Sequence, residues 1–239
     1  LQEVPTVYRT QVNDVLLTAL AQTFAQWTDN PLQVDLEGHG REQLFQDVDL
    51  SRTVGWFTSS FPVYLDVSNV DDIGDALRTV KEQLRRIPNQ GIGYGILRYL
   101  SRSDIATQLH NLPQAEVSFN YLGQFDTALD SATTFKLAEE STGAVHDPEG
   151  IRPYLLEVDG FIAANQLHLE WSYSSAIHHR QTIAQLAQGF VEALRSIIAH
   201  CRSSEAGGYT PSDFQVAKIS QKDFNKLLAK LSQTGRHSS

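Results

Sequence analysis

The feature that most limits how this chain can fold is the change of hydrophobic period from one segment to the next. Val12, Val15, Leu16, Ala19, Leu20, Phe24 and Trp27 recur at three- and four-residue steps, the spacing of one helix face. Asn30-Pro31 ends that pattern, because proline excludes helical backbone from the residue before it. Gln33 to His39 then alternates, with Val34 and Leu36 on one side and Asp35, Glu37 and His39 on the other. That is a strand with one apolar and one ionisable face. Phe61 to Val67 and Ala115 to Leu122 also read as strands, and Ile151 to Ala163 with Gln166 to Ser174 as a hairpin around Ala164-Asn165. Helical spacing returns over Asp71 to Arg86, with carboxylates at the start and Arg85-Arg86 in the last turn, as the helix dipole favours. Ile92 to Leu100 reads as a short helix, and Ile183, Leu186, Ala187, Phe190, Val191, Leu194, Ile197 and Ile198 mark a long one. Strands and helices mix without strict βαβ alternation. The expected fold class is therefore α/β or α+β, a mixed sheet flanked by helices.

Residues 40 to 59 read as a long ordered loop, and Phe135 to Glu139 as one more strand. Ser203 to Gly208 reads as a linker and Ser220 to Leu231 as a short helix beyond it. We therefore expect one domain over residues 1–202 and a linker with a short helix over 203–239, leading to a next domain. The stretch from Gly207 onward is expected to add little to the fold. The chain contains no methionine, even at position 1, which suggests a piece of a longer protein.

Charge narrows the partners. The net charge is −9, and five basic residues after Gly207 (Lys218, Lys222, Lys226, Lys230 and Arg236) face only Asp213 and Asp223. The acidic excess thus lies in the body of the chain, which argues against nucleic acid, since phosphate binding needs a basic footprint. No apolar run is long enough to cross a membrane, and no signal peptide is visible. The one cysteine, Cys201, cannot form an internal disulfide, and a reducing cytoplasm is the simplest home.

Several segments combine residues able to carry chemistry. Glu37-Gly38-His39-Gly40-Arg41-Glu42 closes a strand and opens a glycine-flexed loop. Glu37 can serve as a general acid or base if a second wall desolvates it; the same residues also suit a polar strand face running into a loop. Ser51 to Thr58 sets Trp56 and Phe57 in that loop, either for function or to pin it by burial. Gly91-Ile92-Gly93-Tyr94-Gly95 lacks the spacing of a phosphate loop and reads as a tight helix start. Asn120 and Tyr121 end a strand, where either side chain can orient a carbonyl, or Tyr121 can pack in the core with Phe119. His178-His179 reads as a helix N-terminus. No metal-ligand spacing stands out.

Taken in order, these segments resemble the C-terminal half of a nonribosomal peptide synthetase epimerization domain. Asp14 to Ala21 is similar to D-x-L-L-x-A-x-G, departing at Ala21; Glu37 to Glu42 matches E-G-H-G-R-E throughout. Arg52 to Thr58 matches R-T-V-G-W-F-T, Gly91 to Gly95 fits G-x-G-Y-G, and Phe119 to Gln124 fits F-N-Y-L-G-Q. Tyr209 to Phe214 resembles the linker that leaves such domains. The resemblance implies one lobe of the two-lobe, chloramphenicol-acetyltransferase-like fold of the condensation superfamily. The H-H-x-x-x-D-G motif of the N-terminal lobe is absent from this chain, so the fragment alone is expected to be inactive.

The implied reaction inverts Cα of an aminoacyl or peptidyl thioester, in secondary-metabolite and antibiotic biosynthesis. The substrate arrives on the 4'-phosphopantetheine arm of a peptidyl carrier domain, and this lobe binds no cofactor itself. Glu37 becomes the acid/base and Asn120, Tyr121 and Arg41 substrate-binding residues, with Arg41 able either to hold the loop or to pair with Glu37. The implied partners are the carrier, the adjacent synthetase domains and the N-terminal lobe. Two other readings are a condensation-type acyltransferase and a non-catalytic carrier-docking module.

Overall fold

The computed structural model describes residues 3–124, 150–204 and 206–214, together with 140, 143, 147, 223 and 226. Helices α1 (Glu3–Tyr8) and α2 (Val12–Thr28) precede strands β1 (Leu32–Gly38) and β2 (Ser59–Leu65). Helices α3 (Ile73–Arg85), α4 (Gly93–Tyr99) and α5 (Ser103–His110) follow. Strands β3 (Val117–Gln124), β4 (Leu156–Ala163) and β5 (Gln166–Tyr173) then lead to helix α6 (Arg180–Cys201) and a 3-10 turn at Pro211–Phe214. The expected strand at Phe135 to Glu139 and helix at Ser220 to Leu231 lie outside the described residues.

The chain forms two compact units. The first comprises Leu1–Leu32, Leu65–Pro88 and Gln188–Ser239. Within it α2 and α3 pack together, and a carboxylate tethers them. Asp14, only 1% exposed, accepts a hydrogen bond from the Gln11 backbone N–H at 2.7 Å and receives the Arg85 guanidinium through both oxygens, at 2.7 and 3.2 Å. One side chain thus caps α2 and pairs with α3, so the buried charge has its partners.

A second buried ion in this unit changes the reading of the C-terminal segment. Lys81, 1% exposed on α3, donates to the Tyr8 carbonyl at 2.9 Å and to Asp213 Oδ1 at 2.7 Å. Asp213 also accepts from the Thr210 backbone N–H, and the Ser212 N–H donates to Glu82. Thr210 is buried. The expectation that everything after Gly207 contributes little therefore fails for Tyr209–Phe214. Sequence pattern hides this because a lone lysine on a charged helix ordinarily faces water.

The second unit comprises Gln33–Tyr64 and Asn89–Ala187 and carries the sheet, in strand order β2-β1-β3-β4-β5. β1 with β3 and β3 with β4 run parallel, while β4 and β5 form an antiparallel hairpin. Its turn residues Ala164 and Asn165 have φ of 48° and 59°, the doubly left-handed turn that matches strand twist. The mixed sheet with flanking helices is the architecture that the alternating periods imply. Val34, Leu36, Val117, Phe119, Leu156 and Val158 are buried, leaving their sequence neighbours on the opposite face. Gly91 (φ +80°) stands so close to Phe61 that a Cβ would fall 2.2 Å from its ring; Gly93 and Gly95 meet no such neighbour. Only the first glycine of that motif is enforced by packing.

Candidate active site

Strand alternation and register assemble the site. Asp35 pairs across the sheet with Ser118, Ser118 with Glu157, and Glu157 with Ser172. One step along, Asn120 pairs with Asp159 and Asp159 with Glu170. Glu37 joins this second rung through its side chain, accepting from Asn120 Nδ2 at 2.9 Å. Glu37 and Asn120, 83 residues apart in the chain, are thus brought into direct contact on the ionisable face.

Tyr121 is not brought there. It pairs with Gly160, and a Cβ built at Gly160 would lie 3.6 Å from the Tyr121 ring, so Tyr121 points to the other face, half-buried. Arg41 does not meet Glu37 either. Its guanidinium donates to the carbonyls of Leu50, Thr53 and Gly55 at 2.9, 2.6 and 3.2 Å and lies over the Phe57 ring. Of its two possible roles, these contacts show loop holding. Trp56 and Val54 stand exposed in that loop, so its order comes from Arg41 and Phe57 rather than from Trp56 burial.

Gly40 fixes where the loop departs. Its φ is +64°, and a Cβ there would come within 1.5 Å of the Phe57 carbonyl oxygen. We expect Gly40→Ala to cost about 1–3 kcal/mol from backbone conformation alone, before any shift of Phe57. Thermal melting measures the loss, and limited proteolysis should find new cleavage between residues 41 and 57.

The electrostatics of the face are unusual. Lost hydration pushes the Glu37 carboxyl above its ordinary value, and the negative charge of Asp159 raises it further. Asp159 is raised by burial and then by Glu157 and Glu170. Asp35 is also raised by burial, although the hydroxyl of Tyr154, 2.8 Å from its Oδ2, and the charge of Arg98 oppose the shift. Burial and Asp35 together push the Tyr154 phenol up to about 12. Arg152 neutralises Glu157 in an ion pair.

Sequence reading places Asp35 on this face but misses Asp159 and Tyr154. Asp35 is visible in the alternation, two residues before Glu37. Asp159 becomes its neighbour only through the β3–β4 register, which no local pattern encodes.

These raised carboxyls carry a sign for stability. Ionising Asp159 is harder in the fold than in the unfolded chain, so its contribution is full below the ordinary value of 3.8 and declines as pH rises through the raised one. Asp159→Asn should therefore melt later than the parent at pH 7, by roughly 1–2 °C. The gain should fade as the pH nears 3.8; melting at both pH values checks it.

The arrangement offers a carboxylate with raised proton affinity, held by an amide, beside a glycine-anchored loop. Among the described residues, no helix is long and apolar enough to cross a membrane. The family model for the condensation domain matches residues 1–220. A protein of the linear gramicidin synthase of Brevibacillus parabrevis is 52% identical over 95% of this chain, which spans 3% of that protein. Surfactin synthase subunit 1 of Bacillus subtilis is 40% identical over 92% of the chain, 6% of its own length. Among solved structures, the epimerization domain from the third module of tyrocidine synthetase B superposes with a TM-score of 0.76 at 39% identity, over 84% of this chain and 44% of that one. A condensation domain from the enacyloxin polyketide synthase shares the fold, with a TM-score of 0.61 at 14% identity over 87% of this chain and 39% of that one. The chain belongs to the condensation-domain family.

Proposed function

We propose that this chain is the C-terminal lobe of an epimerization domain, working in a cytoplasmic synthetase, and that Glu37 moves the Cα proton of a carrier-bound aminoacyl or peptidyl thioester. The observation that carries this reading is the Glu37–Asn120 pair on the open polar face, with the Glu37 carboxyl raised toward the working pH. The 39% identity to a solved epimerization domain supports it; the 14% identity to the enacyloxin domain speaks only to the fold. The substrate comes on the phosphopantetheine arm of a carrier domain, and its thioester acidifies the Cα–H. Glu37 as carboxylate takes that proton, leaving an enolate whose negative charge sits on the thioester oxygen. A proton returned to the opposite face of Cα completes inversion with no net change in atoms. Asn120 keeps the Glu37 carboxyl aimed and has a second amide N–H for the substrate. Arg41 acts through the loop, and Tyr121 through its packing behind the strand. The second proton-transfer group belongs to the N-terminal lobe that the resemblance implies.

The test uses the synthetase module carrying this segment, loaded with an L-aminoacyl thioester. The reading predicts D-aminoacyl product and solvent hydrogen at Cα. A peptide formed from donor and acceptor carriers without inversion would establish the acyltransferase instead. Carrier binding with an unchanged thioester would leave only a docking module. The segment on its own should turn over no substrate.

A further inference from the structure

The polar sheet face holds more carboxylates than one proton transfer requires, and their surroundings set one of them apart. Asp35 is held by the Tyr154 hydroxyl and feels the charge of Arg98. Glu157 is paired with Arg152. Glu170 lies on β5, at the far end of the rung, opposite Asp159. Asp159 alone among these is the register partner of Asn120, the residue whose amide holds Glu37. Among the described residues no cation or hydrogen-bond donor offsets its charge; burial, Glu157 and Glu170 all act in the same direction on it.

We propose that Asp159 is a positioning residue of this site, fixing a negative charge behind the Asn120–Glu37 pair so that Glu37 works as a stronger base toward the substrate Cα–H. The inference rests on the acid/base reading of Glu37 given above. Neighbouring strands stand about 4.8 Å apart, so β4 is two such steps from β1. That separation is short enough for two partly desolvated charges to interact and too long for a shared proton. The asymmetry follows. Glu37 has the donor, Asn120, and the open side; Asp159 has neither. Among the described residues the other titratable groups by Glu37 are Asp35 on its own strand and Tyr154, which feels the Glu37 charge. Arg98 acts on Asp35, and His39, just beyond the strand, meets Glu42 and the Arg41 N–H. Asp35 and Tyr154 satisfy one another, so they perturb Glu37 less than the unpaired Asp159 does. This agrees with Asp159 being the one charge that adds to burial in raising Glu37. A stronger base transfers the proton faster at a given degree of ionisation.

Asp159 touches no substrate in this account, so its signature is a pH profile. The experiment measures Cα hydrogen exchange of the carrier-bound thioester against pH, using the complete synthetase module with Asp159→Asn, Asp159→Glu and Glu37→Gln. Asp159→Asn should move the acidic limb to lower pH and reduce the plateau rate roughly threefold to tenfold. Asp159→Glu should restore both. An acidic limb that stays in place in Asp159→Asn overturns the proposal, whatever happens to the plateau. Loss of fold is controlled by melting, where the variant is expected to gain stability at pH 7. Wild-type exchange in Glu37→Gln would instead overturn the acid/base assignment itself, and with it the group on which Asp159 acts.

Discussion

Asp213→Ala should lower the stability of this chain by about 3–5 kcal/mol, the cost of stripping the partner from a buried charge. Lys81 is 1% exposed and its ammonium has two oxygen partners, Asp213 and the Tyr8 carbonyl. The variant keeps the cation buried and takes away its counter-ion, leaving one neutral carbonyl to hold it. It also removes the acceptor of the Thr210 N–H, so the turn at Pro211–Phe214 loses its anchor. At this chain length the loss corresponds to about 10 °C in melting temperature. Replacing both ions at once, as in Lys81→Met with Asp213→Leu, should cost much less, because a buried pair replaced by apolar volume is often near neutral.

The pH dependence has a defined sign. Burial pushes the Asp213 carboxyl up, but Lys81 and the Thr210 N–H outweigh it and hold it below the ordinary 3.8. Its contribution is then present above that value and fades as pH falls through the depressed one. The gap between parent and Asp213→Ala should be widest near neutrality and narrow below about pH 3.8. Equal melting of the two proteins at pH 7 would show that Tyr209–Phe214 is not held by this pair.

What the sequence disclosed follows the range of the forces involved. α2, α3 and α6 are legible because their apolar stripes repeat within a few residues, and β1 because Val34 and Leu36 alternate with Asp35 and Glu37. The β4–β5 hairpin is legible through its turn, where Asn165 tolerates positive φ. β4 itself begins at Leu156 rather than Ile151, since apolar character alone does not mark where pairing starts. α1 and α5 escape a reading by period: each is short, and neither has enough turns to show one. The Lys81–Asp213 pair joins residues 132 apart, which no local signal reports.

The site divides in the same way. Glu37 and Arg41 stand out because two glycines punctuate their motif. The contact of Glu37 with Asn120 and the proximity of Asp159 are products of the parallel register, fixed only when β1, β3 and β4 align. Tyr121 adjoins Asn120 in sequence, and that adjacency is what puts it on the opposite face: neighbouring strand residues point apart.

Glu37→Gln bears most heavily on the account. Glutamine preserves the shape, and its amide oxygen can still accept from Asn120, so carrier binding and melting should change little. It cannot take up or return a proton at catalytic rates. A positioned acid/base is worth about 10²–10⁴-fold, and that is the expected loss in epimerisation. The measurement is single-turnover deuterium incorporation at Cα of the carrier-bound aminoacyl thioester in D2O, comparing the parent two-lobe domain with Glu37→Gln. We predict incorporation slowed by at least about 10²-fold with carrier affinity unchanged. Incorporation at the parent rate would contradict the assignment of Glu37 as the proton-transfer group.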